Sequence, residues 1–429
     1  MDPSSQSHCL LMLNLPPAAL GGIDLLSFTT TERFRGIKDI PSGWHFVFVA
    51  STTSLSIRHG VWFQVPEVPD PPQVFIKKWD PLVEDFVAES SETEILRWKA
   101  NLGTIWKEGL MPYRQSADLS ENGQVIEEPK DFVHLTCYIT PALLSRITGE
   151  SEDHWSLTSA SSAAQDFEDI PGLTKSTEEA HSEKELRFLP IDLKRTWREG
   201  ATGRERTDAA RDRSWALGEL VEKHCSGEST RAQESEVLAE IQFCFIMVLT
   251  LNNNSCLEQW KRLLELLFTC REAVRERTAL FLDLITLLAV QLDHCKDMEG
   301  GLFDMSEDGG GFLKPLLQKF RRGLDAFDGT WKADVIDELD ELQDHLRKEF
   351  GWDLDDSYVK RGMLELEDGE QVEMEVNGVD EDEETGEYAP AVVELTAEQL
   401  RELEGSDGGY RVDEAEEEEA ELDDMDTRF

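Results

Sequence analysis

The stretch VLAEIQFCFIMVLTL, residues 237–251, decides the fold of this chain. It is apolar nearly all round rather than on one face, which is typical of a helix that neighbours bury on several sides. We therefore predict that it is the central helix of an α-helical domain over residues 186–351. Around it, apolar residues recur at spacings of three and four, which predicts amphipathic helices facing one core. These stripes are Trp260, Leu263, Leu264, Leu267 and Phe268; Leu313, Leu316, Leu317, Phe320, Leu324 and Phe327; and Trp331, Val335, Leu339, Leu342 and Leu346.

The first third of the chain has the pattern of strands. Short β-branched and aromatic runs occupy residues 45–50, 60–65 and 73–79, and Pro and Gly separate them. Ser91 and Glu94 form a capping box ahead of one predicted helix. Thr140 as N-cap, Pro141 at the first position and Gly149 beyond the end delimit another. We predict an α+β chain whose N-terminal domain, residues 1–150, is β-rich and mostly antiparallel.

Two segments lack the periodicity of a folded core. Residues 151–185 are rich in Ser, Glu, Asp, Thr and Ala, and we expect a disordered linker between two independently folding parts. From residue 352 to 429 acidic residues dominate, which predicts a disordered acidic tail. The apolar island at residues 388–395 is the exception, and we predict that it is a partner-binding strand.

The charge of the chain limits its function. It has 89 acidic and 42 basic residues, with a formal net charge of -47. Such a surface repels phosphate, so we expect no direct binding of nucleic acid. About half of the net charge lies after residue 365. The longest apolar stretch is far shorter than the roughly 20 residues that a membrane helix needs, and nothing resembles a signal leader. We expect a soluble nuclear or cytoplasmic protein without membrane contact.

No residue pattern indicates an enzyme. The seven cysteines are an odd number without a CxxC pair, which favours free, reduced thiols. The nine histidines are scattered, and His45 is not tied by any motif to a Ser or Cys nucleophile. We expect no catalytic residue, no metal site and no cofactor. A cysteine- or histidine-dependent hydrolase is the alternative that this pattern disfavours.

Two polar sites are candidates for regulation or binding. Ser255 follows an Asn-rich turn and forms, with Glu258, a capping box for the next helix. It is either only a cap or a phosphorylation switch, because a phosphate there would add nearly two charges to an exposed loop. Arg33, Arg35 and Lys38 form a small basic spot that is either solvated or meets an acidic partner.

Several stretches, in order along the chain, resemble the a1-cistron splicing factor family. In the β-rich part they are FRGIKDIPSGWHF at residues 34–46 and the pair Lys78-Trp79. In the helical part they are EGAT at 199–202, EIQF at 240–243 and QWKRLL at 259–264. In the tail the stretch is APAVVEL at 389–395. The combination covers nearly the whole chain outside the linker.

The resemblance implies a fold and a task. The fold would be an N-terminal β-sandwich-like domain and a C-terminal all-α, VHS-like helical domain. The chain would be a non-enzymatic spliceosome assembly factor, cytoplasmic and nuclear, and a monomer when free. Its partner would be the central scaffold protein of the U5 snRNP, through RNase H-like and Jab/MPN-like domains, and it would delay helicase docking during U5 snRNP biogenesis.

For the tail, the pattern and the resemblance agree on a contact. We predict that the scaffold is bound through a strand containing Ala391, Val392, Val393, Glu394 and Leu395. The alternative function is a generic acidic chaperone, which would bind basic proteins through the charge of the tail alone.

Overall fold

The computed structural model describes residues 7–52, 56–67, 73–82, 85–88, 91–114, 131–151, 154–162, 184–295, 310–325, 327, 329–354, 359–365 and 371–377. The chain divides into two compact units. The first contains residues 1–201 and 205–357, and the second contains residues 202–204 and 358–429. The first unit has sheets and then helices along the chain, which confirms the predicted α+β fold.

The described part of the first unit contains ten strands in two sheets. They are β1 (His8–Leu13), β2 (Leu20–Ile23), β3 (Leu26–Thr29), β4 (Gly36–Ile40), β5 (Gly43–Ala50), β6 (Arg58–Val65), β7 (Val74–Asp80), β8 (Asp85–Ala88), β9 (Leu110–Pro112) and β10 (Ser156–Thr158). One sheet has the order β8-β7-β1-β4-β9, and the other has the order β10-β6-β5-β2-β3. All pairs are antiparallel except β1 with β7 and β4 with β9.

Strand β5 is apolar on both of its faces because both are covered. Val47 and Val49 lie in the core between the two sheets, together with Leu10 of β1. Successive side chains of a strand point to opposite faces, so Phe46 and Phe48 project the other way and join the helical core. A run without polar alternation is the pattern expected of a strand buried on both sides.

Twelve helices lie in the described part of the chain. They are α1 (Glu92–Ala100), α2 (Leu102–Glu108), α3 (Asp131–Leu135), α4 (Pro141–Thr148), α5 (Gly203–Arg211), α6 (Ser214–His224), α7 (Thr230–Leu251), α8 (Asn254–Phe268), α9 (Ala273–Glu276), α10 (Thr278–Asp293), α11 (Gly310–Asp325) and α12 (Ala333–Phe350). The predicted caps at Ser91 and Thr140 are confirmed, since each side chain accepts a bond from the first-turn backbone. Gly149 ends α4 in the left-handed conformation, with φ of 70°.

The predicted central helix is α7. All but one of its residues from Val237 to Leu251 are buried, whereas its first turns are partly exposed. The predicted stripe of α8 is also buried, from Trp260 to Phe268. Leu339 and Leu346 of α12 are fully buried, and Gly351 ends that helix in the left-handed conformation, with φ of 68°. The core continues past this glycine, because Trp352 and Leu354 are buried too.

One hydrophobic core joins the β-rich and helical parts of the first unit. Trp62 of β6 lies in the same buried cluster as Phe243 of α7, and their ring centroids are 6.1 Å apart. This differs from the expectation of two independently folding parts, because the outer face of the second sheet is covered by helices rather than by water. The division of the chain at residues 150, 185 and 351 stays a prediction.

Part of the segment predicted as a linker is packed on the sheet. Strand β10 pairs with β6, and Trp155 beside it is only 2 % exposed. The backbone N–H of Leu186 donates to the Ser162 hydroxyl at 2.7 Å, which brings the two described ends of the segment together. The polar composition of the segment does not indicate this packing, because only a few of its residues, among them Trp155 and Leu157, supply the apolar burial.

The described residues of the second unit include a β-hairpin within the predicted tail. Its strands are β11 (Val359–Glu365) and β12 (Gln371–Asn377), and they pair antiparallel from Val359 with Asn377 to Glu365 with Gln371. The sequence analysis places no strand there, because it weighs the acidic composition of the tail and not the alternation of apolar and polar residues in QVEMEVN, which is typical of a strand.

Candidate functional site

The predicted partner-binding strand lies outside the described residues. Ala391, Val392, Val393, Glu394 and Leu395 all belong to this part of the chain. Their role in binding therefore stays a prediction.

Ser255 lies at the start of α8, where it is 6 % exposed. The predicted capping box with Glu258 is wrong, because the helix begins at Asn254, two residues earlier than a cap at Ser255 would place it. Asn253 is the N-cap instead, and its Oδ1 accepts a bond from the Cys256 N–H at 2.8 Å. A phosphate on Ser255 would have to displace the packing around it, so a switch would act by opening this helix end. Whether Ser255 is such a switch stays a prediction.

A buried polar network joins α4 to the helical part. The Arg146 guanidinium contacts Glu236 at 2.9 Å and Glu240 at 2.7 Å, both on α7. Glu240 is fully buried and also accepts bonds from the Leu189 N–H at 2.9 Å and from Nε2 of Gln259 at 2.8 Å. We call these five residues the junction network. Both carboxylate oxygens of Glu240 accept hydrogen bonds, as a buried carboxylate requires.

Burial and pairing act on Glu240 in opposite directions. Removal from water raises the pKa of this carboxyl group, because the charged form is disfavoured. The guanidinium of Arg146 and the bonds from Leu189 and Gln259 lower it, but the pKa remains above its ordinary value. The junction network therefore holds α4 against α7, although the burial of the Glu240 charge is only partly compensated by its partners.

Gln242 makes a second polar link on the same helix. Its Oε1 accepts a bond from the Tyr138 N–H at 2.8 Å, and its Nε2 donates to the His134 carbonyl at 2.9 Å. The side chain is fully buried. Glu240 and Gln242 both lie in the stretch that the sequence analysis describes as apolar nearly all round. These two polar residues could have indicated the contact from the sequence, since a polar residue inside a buried helix must find partners on a neighbouring element.

The turn between α7 and α8 is bound to the edge of the sheet. Nδ2 of Asn253 donates to the carbonyls of Thr158 at 3.1 Å and of Ser161 at 3.0 Å. The Arg58 guanidinium donates to the Thr250 carbonyl at 2.7 Å, near the C-terminus of α7, where a cation also favours the helix dipole. The sequence separation of these pairs explains why no local pattern predicts them.

His45 has a structural environment. Its Nδ1 lies 2.8 Å from Oδ2 of Asp24, and its Nε2 lies 3.0 Å from the Pro41 carbonyl. Asp24 also accepts bonds from the Tyr113 hydroxyl at 2.6 Å and from the Phe46 N–H at 2.9 Å. The imidazole thus ties the 41–46 segment to the β2–β3 turn. These contacts explain the buried position of His45 by a structural role, without a partner Ser or Cys nucleophile.

The predicted basic spot is largely bound within the chain. Nη1 of Arg35 donates to the carbonyls of Glu32 at 2.8 Å and of Phe34 at 2.7 Å. Nζ of Lys38 donates to the Trp106 carbonyl at 3.1 Å and lies over the indole ring. These contacts favour a structural role for the two side chains.

The cysteines are unpaired thiols, and six of the seven are buried. Burial raises the pKa of Cys9, Cys225 and Cys295 to about 12 in each case, which disfavours the reactive thiolate. Among the described residues, no group of three or more His, Cys, Asp and Glu side chains could hold a metal ion. No helix in the same residues has the length and apolar composition to cross a membrane.

Two protein-family models match this chain. The model of the AAR2 N-terminal domain matches residues 6–149, and that of the AAR2 C-terminal repeat region matches residues 188–355. The first match ends where α4 ends, and the second begins beside Leu189 of the junction network. Both matched regions belong to the part of the molecule that shares one core.

Curated proteins of animals are similar over most of the chain. Protein AAR2 homolog of Mus musculus is 25 % identical over 373 residues, which is 80 % of this chain and 89 % of the mouse protein. The protein of the same name from Homo sapiens is 26 % identical over the same shares. The one from Caenorhabditis elegans is 26 % identical over 311 residues, covering 67 % of this chain and 78 % of the relative.

Proposed function

This chain belongs to the AAR2 family of splicing factors, which act in U5 snRNP assembly, and from this premise we propose that it binds the central scaffold protein of that particle. Binding delays the docking of the helicase until assembly has advanced. The contacts are to RNase H-like and Jab/MPN-like domains of the scaffold. The observation that carries the proposal is the match of both family models, in order, over one packed unit.

The chain acts by binding rather than by catalysis. The buried thiols and the structural setting of His45 support this, because neither supplies an activated nucleophile. The protein works in the cytoplasm and nucleus, as a monomer when free and without contact to nucleic acid or membrane. Its formal net charge of -47 supports the absence of direct RNA binding.

Residues 391–395 bind the scaffold as an added strand. Backbone groups would pair with a sheet edge of the partner, while alternate side chains enter its pockets. Ala391, Val393 and Leu395 share one face of such a strand, and Val392 lies on the other. Val393→Asp is expected to weaken scaffold binding, because it places an unpaired charge in an apolar pocket.

Affinity purification of the tagged full-length chain from cells tests this function. We expect U5 snRNP proteins, including the scaffold, without the helicase. Val393→Asp should lose the scaffold, and Val392→Asp is the matched control that should retain more of it, with thermal stability unchanged in both. Recovery of the helicase in the same complexes would contradict the delay, and absence of the scaffold would contradict the function itself.

A generic acidic chaperone is the second candidate, favoured by the charge of the tail. It would recover histones and ribosomal proteins in place of U5 proteins. Its binding would fall steeply as salt is raised, because exposed charges are screened over a Debye length of about 8 Å at physiological ionic strength. Retention of the scaffold at high salt separates the two functions.

Ser255 acts as a phosphorylation switch on scaffold binding. Because the residue is buried at the start of α8, the phosphate would act by loosening this helix from β10 rather than by adding charge to an exposed loop. Ser255→Glu should therefore raise hydrogen exchange in residues 156–162 and weaken scaffold binding. Unchanged exchange and unchanged binding would contradict the switch.

A further inference from the structure

The β-hairpin of the second unit has two unlike faces. Strands β11 and β12 pair in register along their whole length, and positions alternate between the faces of a strand, so the register fixes which positions share a face. One face holds the positions Lys360, Gly362, Leu364, Val372, Met374 and Val376. The other face holds the positions Val359, Arg361, Met363, Glu365, Gln371, Glu373, Glu375 and Asn377. The first face is mostly apolar, and the second carries most of the charge.

The hairpin is one strand short of a stable sheet. A two-stranded hairpin on its own is at best marginally stable in water, and a third strand with apolar positions on the same face is one way to stabilise it. Among the described residues, the sheet consists of β11 and β12 alone. Each of the two strands therefore has an outer edge to which a further strand can be added.

The predicted partner-binding strand has the pattern of such a third strand. Ala391, Val393 and Leu395 alternate with Val392 and Glu394. In an extended conformation the first three share one face, which matches the apolar face of the hairpin. The two valines also favour an extended conformation. Together the three strands would form a sheet that is mostly apolar on one side.

The connection between hairpin and strand is long enough to bring them together. Residues 378–390, which follow β12 directly, number 13. Such a connection reaches about 40 Å when extended, which exceeds the roughly 23 Å length of a seven-residue strand such as β11. Segments joined by a short connection meet at an effective concentration in the millimolar range. The strand is therefore better placed to reach the hairpin than a second molecule is.

Charge selects the edge of β11 rather than that of β12. Strand β11 has a formal charge of +1, from Lys360, Arg361 and Glu365, whereas β12 has a formal charge of -2, since both of its charged residues are glutamates. With the apolar faces aligned, the added strand places Glu394 on the face of the hairpin that carries Arg361. Opposite charges on neighbouring strands stabilise a sheet, and like charges destabilise it.

We propose that residues 391–395 pair with the outer edge of β11 in the unbound chain and complete a three-stranded sheet. The strand is then ordered before a partner arrives, and its own outer edge and the apolar face of the sheet form the docking surface for the scaffold. A strand that is already extended loses less entropy on binding, which raises affinity. This docking role rests on the scaffold contact proposed above, whereas the pairing with β11 does not.

The family match does not imply this sheet. The hairpin begins at Val359, and the match to the C-terminal family model ends at residue 355. The inference therefore rests on the register of the hairpin, the alternation in the strand, the length of the connection and the charge of β11.

Amide hydrogen exchange of the free full-length chain tests the pairing. We expect residues 391–395 to exchange at least about tenfold more slowly than in a synthetic peptide of residues 386–397, because N–H groups of an added strand bond to its neighbour. Arg361→Glu should lower this protection, and so should Glu394→Arg. The double variant exchanges the two charges and should restore the protection, which separates a lost charge pair from a hairpin that fails to form.

Arg411→Glu is the matched control, because it makes the same change of charge in the tail outside the hairpin and the strand. It should leave the protection of residues 391–395 within twofold of that in the native chain. Equal effects of Arg361→Glu and Arg411→Glu would overturn the pairing, as would a double variant that stays unprotected. Protection that appears only as the protein concentration is raised would assign the edge of β11 to a second copy instead.

Binding of the purified scaffold protein tests the docking role separately. We expect Arg361→Glu to weaken scaffold binding several-fold, because the strand must then be ordered on binding, and Arg411→Glu to leave it unchanged. Exchange in residues 391–395 equal to that of the peptide would overturn the pairing even if the scaffold binds. Protection in a native chain that does not bind the scaffold would support the pairing and contradict only the proposed function.

Discussion

Trp260 shows how one side chain combines apolar and polar burial. It is 3 % exposed, and its ring centroid lies 6.2 Å from that of Phe245. Its Nε1 donates to Oε1 of Gln291 at 3.0 Å, so the indole has a hydrogen-bond partner inside the core. The helical spacing predicts the burial of this residue but not the partner, because Gln291 lies on another helix.

Removal of this side chain should be costly. We expect Trp260→Ala to lower the free energy of unfolding by roughly 3–5 kcal/mol, since it leaves a cavity in a packed core. Denaturant unfolding followed by circular dichroism measures the change. Trp260→Phe should cost less, because it retains most of the buried ring area. An unchanged midpoint for Trp260→Ala would contradict the burial.

Glu240 makes stability depend on pH with a definite sign. Its pKa is raised in the folded state, so the folded chain holds this proton more tightly than the unfolded chain does. The contribution to stability is present below the unfolded pKa and is lost as pH rises through the folded pKa. The pH range over which this stability is lost therefore begins near 4.5, the ordinary pKa of the carboxyl group, and extends to higher pH.

Glu240→Gln should remove this dependence, because the amide resembles the protonated acid. We expect the melting temperature of the variant to rise relative to that of the native chain as pH increases above the ordinary carboxyl range. Differential scanning fluorimetry across pH measures the difference. Glu222→Gln, at an exposed position of α6, is the control and should give a constant offset. A difference that moves the other way would show that the pairing with Arg146 outweighs burial.

At the scale of elements, the turn between α7 and α8 links a helix start to a sheet edge. Asn253 caps α8 with its oxygen and binds two carbonyls beside β10 with its nitrogen. Asn253→Asp retains a good N-cap but removes both donors and places a carboxylate against carbonyl oxygens. We expect destabilisation of about 1–3 kcal/mol even though the cap is kept.

Hydrogen exchange can locate this effect. Protection should fall in residues 156–162 while the first turn of α8 remains protected. Asn253→Ala, which loses the cap as well, should affect both segments. If Asn253→Asp left residues 156–162 as protected as in the native chain, the nitrogen contacts would have no role in holding the edge.

Elements with a strong local pattern are those that the sequence predicts. The three strand runs appear as β5, β6 and β7, and the apolar stripes appear as α8, α11 and α12. The sequence analysis predicts no strand at β1, although it is the middle strand of its sheet. Its place there depends on parallel pairing with β7, which begins more than sixty residues later. Local sequence carries no signal for a pairing at that distance.

At the scale of the molecule, the candidate sites were less predictable than the fold. The polar positions of EIQF and QWKRLL, Glu240, Gln242 and Gln259, turn out to lie at the junction between the two parts. Trp197 and Trp215 line the same surface clefts, although they come from a loop and a helix and meet only in the folded unit. Ser255 was identified from its neighbours in sequence, and these could not indicate that it is buried.

The shared core leads to a prediction about unfolding. Phe46, Phe48 and Trp62 project from the second sheet into the cluster that contains Phe243 of α7, so neither part can bury its apolar surface alone. We expect residues 1–201 and 205–354 to unfold in one cooperative transition, with coincident curves from far-ultraviolet circular dichroism and tryptophan fluorescence.

Phe243→Ala should lower the free energy of unfolding by roughly 3–5 kcal/mol and reduce hydrogen-exchange protection in β5 and β6 as well as in α7. The substitution on α7 should affect the sheet because Phe243 lies in the same core as side chains of β5 and β6. Two separate transitions, of which Phe243→Ala shifts only the helical one, would show instead that the parts fold independently.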